Sequence, residues 1–209
     1  MVSKRGQKSG TRSKKEKVAN PKLSPDDAFL VFADLQVGIV DLPLANSAKD
    51  LVRAAKGLAR LGEIFDIPTL TLSIPKRGGG RAVIIPEITE TRSKYKHLER
   101  TAPDSFENAA IRKAIADSGR NTLVVCGIAT EIAVHWLVLS GLANGYRVYV
   151  VADACGGLSV RSEEAAFRRF EAAGAVMTSV ASFASEISGD FTKPIGRAAI
   201  DVVYDLIGV

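Results

Sequence analysis

Asp34 closes the run AFLVFAD, in which every preceding side chain favours burial. A carboxylate there is costly unless it is paired or faces a cleft, and burial tunes such a group for general acid or base work. The alternative is an aspartate that merely caps a neighbouring loop. Arg100 ends the segment YKHLER, six residues ahead of Phe106. A guanidinium at that point could keep Asp34 ionised or grip an anionic substrate, and otherwise it is a surface arginine in a charge-rich loop. The third feature is GIATEIAV, residues 127–134, set between the strand-like NTLVVC and the helix-like EIAVHWLVLSGLANG. Amides at the start of a helix point into such a turn and can hold an anion. Many α/β enzymes carry a nucleophile in a turn of this kind, but Ala133 stands in the reactive place. Alanine has no lone pair and no labile proton, so that side chain excludes covalent catalysis.

Other chemistry has little raw material. The cysteines are Cys126 and Cys155, which form no CxxC pair and no disulfide framework and fit a reducing compartment. The histidines are His97 and His135, and the second lies within an apolar helical run where packing is the expected role. A dinucleotide fingerprint wants glycines at its first, third and sixth places, where this turn offers Gly127, Ala129 and Ile132. No Walker loop is present. The segment from Arg77 through Gly78, Gly79 and Gly80 to Arg81 reads either as a cationic lid or as a flexible surface turn.

The elements that must position these residues alternate. Strands are expected at 28–34, 67–74, 95–100, 121–127, 147–154 and 175–180. Helices are expected at 47–65, with Ser47 as N-cap, and at 104–119, 130–145, 161–174, 183–188 and 195–207. The glycine-bearing stretch 77–94 reads as loop. Strands alternating with helices define βαβ crossovers and a mostly parallel sheet covered on both faces. Ligands in such sheets bind beyond the C-terminal strand ends, where the strand order reverses, which is where Asp34, Gln36, Arg100 and GIATEIA fall.

The formal charge of +5 invites a nucleic-acid reading, but its distribution argues otherwise. Residues 1–22 hold eight Lys or Arg against Glu16 alone, which leaves the remainder of the chain two charges negative. Residues 1–25 are therefore expected to be a basic, disordered tail, and 26–209 a single domain. Nucleic acid is not the expected partner, because a solvated extension accounts for the tail. No apolar run is long enough for a membrane span and no signal-like apolar stretch follows the basic start, so a cytoplasmic location is expected.

Taken together, these residues resemble the isochorismatase-like hydrolases, the cysteine hydrolase superfamily that includes nicotinamidases and N-carbamoylsarcosine amidohydrolases. The family's first strand ends in an aspartate followed two places later by a glutamine, as in Asp34-Leu35-Gln36. Its K-x4-(S/A)-F pattern is similar to Arg100 through Ser105-Phe106, with arginine replacing lysine. Its turn G-(V/I)-(A/V)-T-(D/E)-x-C-V matches Gly127 to Val134 except at Ala133, and GYRVYVVADACGG looks like the strand that follows. The resemblance implies a three-layer α/β/α sandwich of Rossmann-like type with six strands, and frequent homo-oligomers. The nearly all-round apolar helix after the turn also asks for cover from another element or a second subunit.

In cysteine members of the family the aspartate takes the thiol proton and the cation orients the site. The oxyanion rests on turn amides, which would be those of Ala129 and Ala133, with a cis peptide preceding Thr130. Gln36, Phe106, Ala129 and Thr130 are the expected substrate and oxyanion residues. The zinc-dependent members place histidine near the second strand, where FDIPTLTLSIPKRGG has none, so no metal and no cofactor are expected. Isochorismatases proper also lack the cysteine and cleave a vinyl ether with an aspartate acid and water. That chemistry suits Asp34 as general acid and Arg100 as the cation for a small, anionic substrate. Three other accounts stay open: Cys155 as a relocated nucleophile, a non-catalytic binder or scaffold, and an engineered replacement of cysteine by alanine.

Overall fold

The computed structural model describes residues 22–42 and 44–208, so residues 1–21 of the basic stretch lie outside the described residues. Six strands form one sheet: β1 (Ala28–Ala33), β2 (Thr69–Ser73), β3 (Lys96–Glu99), β4 (Thr122–Ile128), β5 (Arg147–Gly156) and β6 (Val176–Thr178). Their order is β3-β2-β1-β4-β5-β6, and every pairing is parallel. All residues of β1, β2 and β4 are buried, as expected for strands covered on both sides.

The helices are α1 (Ala48–Ile64), α2 (Pro86–Thr89), α3 (Ala109–Asp117), α4 (His135–Ala143), α5 (Val160–Ala173), α6 (Val180–Ile187) and α7 (Pro194–Ile207). From β1 the chain runs outward through β2 to β3, then returns to lay β4 on the other side of β1. Right-handed crossovers taken in opposite directions put their helices on opposite faces. Accordingly α1 packs with α6 and α7, while α4 packs with α5 and β5. Fully buried Leu30, Phe32, Leu58, Leu70 and Phe170 belong to the core these layers enclose. Each such side chain contributes about 1.5–3 kcal/mol by leaving water.

Ser47 caps α1 as expected, its hydroxyl accepting from the Asp50 amide. Four details depart from the sequence reading. The stretch 77–94 contains α2, which starts at Pro86 because proline's fixed φ suits the first helical position. The helix expected over 104–119 divides into a 3-10 turn, Ser105–Glu107, and α3, which Asn108 caps. The helix expected from residue 130 opens with one π-helical turn, Thr130–Val134, before α4. The fifth strand runs on through Cys155 and Gly156, held by Gly127 and Ile128 of β4 past a register shift.

Candidate active site

The strand order reverses between β1 and β4, so the candidate residues gather beyond the C-terminal ends of those two strands. Gly127 makes the close approach possible. Its φ is +138°, and a β-carbon there would lie 2.0 Å from the Ala33 carbonyl oxygen. Asp34, directly after β1, adopts a left-handed φ of +53°, and its amide donates to the Leu72 carbonyl at 3.0 Å.

Arg100 follows β3, and its amide donates to the Ser73 carbonyl at 2.8 Å, which fixes it beside the end of β2. Its guanidinium forks onto Asp34: Nε donates to Oδ1 at 3.3 Å, and Nη2 donates to Oδ2. Nη1 donates to the carbonyls of Ala102 at 2.7 Å and Pro103 at 3.5 Å. Asp34 is 2% exposed and Arg100 5%, so the pair is buried. Burial pushes the Asp34 carboxyl above its ordinary value, while hydrogen bonding and charge from Arg100 pull it back. Of the two roles open to Arg100, the geometry serves the first, holding Asp34, because every nitrogen of the guanidinium is committed to protein oxygens.

Gln36 is buried and lends its amide to the backbone of Ile74, Nε2 donating at 3.2 Å and Oε1 accepting at 3.0 Å. It ties the chain after β1 to the end of β2 and does not present its amide to a ligand. Phe106 is likewise internal. Its ring lies 6.2 Å from that of Tyr146, centroid to centroid, and it seats the segment after Arg100 against α4. The Ser140 hydroxyl adds to this by donating to Asp104 at 2.6 Å.

In the turn, the Ile128–Ala129 bond is cis, one bond earlier than the one entering Thr130. Ala133 is completely buried and Ala129 is 9% exposed. Among the described residues, the amides of Ala129 and Ala133 make no backbone hydrogen bond outside their own turn and none to a side chain. Thr130 is buried, and its hydroxyl donates to Glu163 at 2.7 Å.

Cys155 does not reach the mouth. It is a fully buried residue of β5 whose backbone pairs with Gly127, and burial pushes its thiol far above the ordinary range. A neutral, enclosed thiol is packing material and not a nucleophile. Cys126, buried in β4, has the same character. His135 packs edge-on against Phe170. Arg81, at the end of the triglycine segment, lines a separate cavity of about 360 Å³ with Tyr95 and His97. Among the described residues no cluster of three or more His, Cys, Asp or Glu could hold a metal ion, and no helix is long and apolar enough to cross a membrane.

Glu163, near the start of α5, went unmarked in the sequence. It is 7% exposed, and it shares the buried face of α5 with Ala166 and Phe170 at helical spacing. That acid on an apolar stripe was the available signal.

This fold and site belong with a recognised class. The isochorismatase domain model matches residues 28–182, and the chain belongs to the isochorismatase family of hydrolases. Isochorismatase domain-containing protein 2 of Xenopus laevis is 34% identical over 181 residues, covering 83% of this chain and 82% of that protein. The probable hydrolase YcaC of Escherichia coli is 25% identical over 175 residues, covering 83% and 84%. The crystal structure of the Escherichia coli YcaC product, described as an octameric hydrolase of unknown specificity, superposes with a TM-score of 0.80 at 24% identity and covers 88% of this chain and 90% of that one.

Proposed function

We propose that this chain hydrolyses a small, anionic metabolite without a covalent intermediate, using Asp34 as a proton-carrying carboxyl and water as the nucleophile. The observation that carries the reading is the buried Asp34–Arg100 pair beside a turn whose nucleophile position is Ala133. Burial favours the protonated acid, and the fork from Arg100 fixes the orientation of the carboxyl group. On an enol ether, the Asp34 proton passes to the terminal alkene carbon and leaves an oxocarbenium ion. Water adds to that cation and returns a proton to Asp34. The resulting hemiketal then breaks its C–O bond to give a ketone and an alcohol. Negative charge on the departing oxygen, or on the substrate's own acid group, is met by the turn amides of Ala129 and Ala133.

A panel of small anionic enol ethers, amides and carbamates tests this. Turnover is expected with an enol ether and is expected to fall by about a hundredfold or more in Asp34→Asn, in line with loss of a general acid. Full turnover by Asp34→Asn removes the mechanism. Ligand-induced rises in melting temperature with no turnover of any compound support a non-catalytic binder instead.

We also infer a homo-oligomer at work in the cytoplasm. Ile132, Trp136, Leu158 and Val160 are 40–60% exposed. They are joined locally, because Glu131 accepts from the Leu158 amide at 2.9 Å and thereby ties the turn to the loop before α5. The octameric state described for the Escherichia coli structure is in keeping with this.

A further inference from the structure

Three loops meet around one carboxylate at the C-terminal edge of the sheet. Oε1 of Glu163 accepts the Thr130 hydroxyl at 2.7 Å and the Gly157 amide at 2.8 Å. The Gly157 carbonyl in turn accepts from the Ala45 amide at 2.8 Å, and Asn46 Nδ2 donates to the Cys155 carbonyl at 2.7 Å. The segments after β1, β4 and β5 are thus fastened together with Glu163 at the centre. Gly157 must lack a side chain for this, since a β-carbon there would lie 2.5 Å from the Glu163 β-carbon.

A buried carboxylate needs a reason. Burial pushes the Glu163 carboxyl up, the hydrogen bonds from Thr130 and Gly157 lower it, and the nearby Glu131 raises it again. Glu131 itself accepts from Leu158 N at 2.9 Å and Ser162 Oγ at 2.5 Å, while its Oε2 is buried with no partner among the described residues. A leucine or phenylalanine would fill the space at 163 more cheaply, but it would leave the Thr130 hydroxyl and the Gly157 amide without an acceptor.

We propose that Glu163 is the positioning residue of the turn: by holding Thr130 from behind, it sets where the Ala129 and Ala133 amides aim. Thr130 lies directly between Ala129 and the residues leading to Ala133, so a rotation released at its side chain is carried into both amides. What the geometry demands is an acceptor oxygen at Oε1, not a charge. Glutamine should therefore replace Glu163, and alanine should not. The inference rests on the reading of those amides as the anion cradle, but the positioning itself can be observed independently.

The full-length chain, labelled isotopically at alanine, reports the Ala129 and Ala133 amides by NMR. Both resonances are expected to move in Glu163→Ala and in Thr130→Val, and to stay near their wild-type places in Glu163→Gln. In an Ala133→Cys background, iodoacetamide then reads the cradle chemically. Glu163→Ala should slow alkylation near neutral pH by about tenfold, within the range expected for misplacement by a fraction of an ångström, while Glu163→Gln should restore it to within about threefold. Combining Glu163→Ala with Thr130→Val should add little, because the two act as one unit. Amide resonances unmoved in folded Glu163→Ala and Thr130→Val proteins overturn the proposal, as does failure of Glu163→Gln to restore either readout. If the resonances move as expected while the Ala133→Cys thiol reacts no faster than a free thiol, the positioning stands and the anion-cradle reading falls.

Discussion

Removing the Arg100 guanidinium leaves the buried Asp34 carboxyl unpaired, so it must either hold a charge without compensation or take up a proton. Arg100→Ala is therefore expected to cost about 3–5 kcal/mol of folding stability, as is usual when one member of a buried pair is deleted, and urea denaturation measures it. Arg100→Lys should recover only part of this, since an ammonium cannot fork onto both carboxylate oxygens. Asp34 was legible because a charge that ends an apolar strand has to be paired, whereas Arg100 was legible from its spacing to Phe106 and not from its charge-rich surroundings. Their neighbours Gln36 and Phe106 were legible as members of the site region but not in their roles. A side-chain amide that closes on the Ile74 backbone and a ring turned toward Tyr146 depend on tertiary placement, which residue type alone does not carry. Glu163 was hidden differently, within a charged-looking helix where Glu164 and Arg168 are exposed and only the spacing to Ala166 and Phe170 marks the buried acid.

At the scale of elements, apolar runs located the central strands while β3 was read from the polar segment YKHLER, and tertiary pairing set the strand ends. The continuation of β5 through Cys155 is imposed by Gly127 and Ile128, which a local pattern does not contain. The π-helical turn is invisible to periodicity because it changes the backbone by one residue within a single turn. Two substitutions examine how the sheet presents the site. Gly127→Ala places a methyl group against the Ala33 carbonyl and forces a non-glycine residue to a positive φ. It should cost about 4 kcal/mol or more, as severe backbone clashes do, or prevent folding, and its melting curve decides between these. At the other end of the strands, Asp27 accepts from Asn121, from Thr122 at 2.7 Å and from Arg147 at 2.8 Å, so it joins the starts of β1, β4 and β5. Burial works against its charge, but these hydrogen bonds prevail and hold its carboxyl well below the usual carboxylate range. Its folded value is depressed, so its stabilisation is complete above the ordinary value and is lost as pH falls through the folded one. Asp27→Ala should thus melt lower than wild type at neutral pH, by roughly 1–2 kcal/mol for partly exposed charged hydrogen bonds, and the gap should narrow in acid.

For the whole molecule, the apolar surface around Ile132, Trp136, Leu158 and Val160 lies next to the turn, so the proposed subunit contact borders the proposed site. Trp136→Glu is expected to lower the particle mass toward that of a single 22.2 kDa chain in sedimentation or light scattering. An unchanged mass places the subunit contact elsewhere. The central claim is that a raised, arginine-held Asp34 delivers the proton. The most direct test is the pH dependence of kcat/KM on an anionic enol ether that the protein turns over. An acid acts only while protonated, so the rate should fall as pH rises through the Asp34 value in the folded protein. Arg100→Ala removes the cation that favours ionisation and should move this limb to higher pH, and Asp34→Asn should abolish it. A limb that persists unchanged in Asp34→Asn would contradict the account.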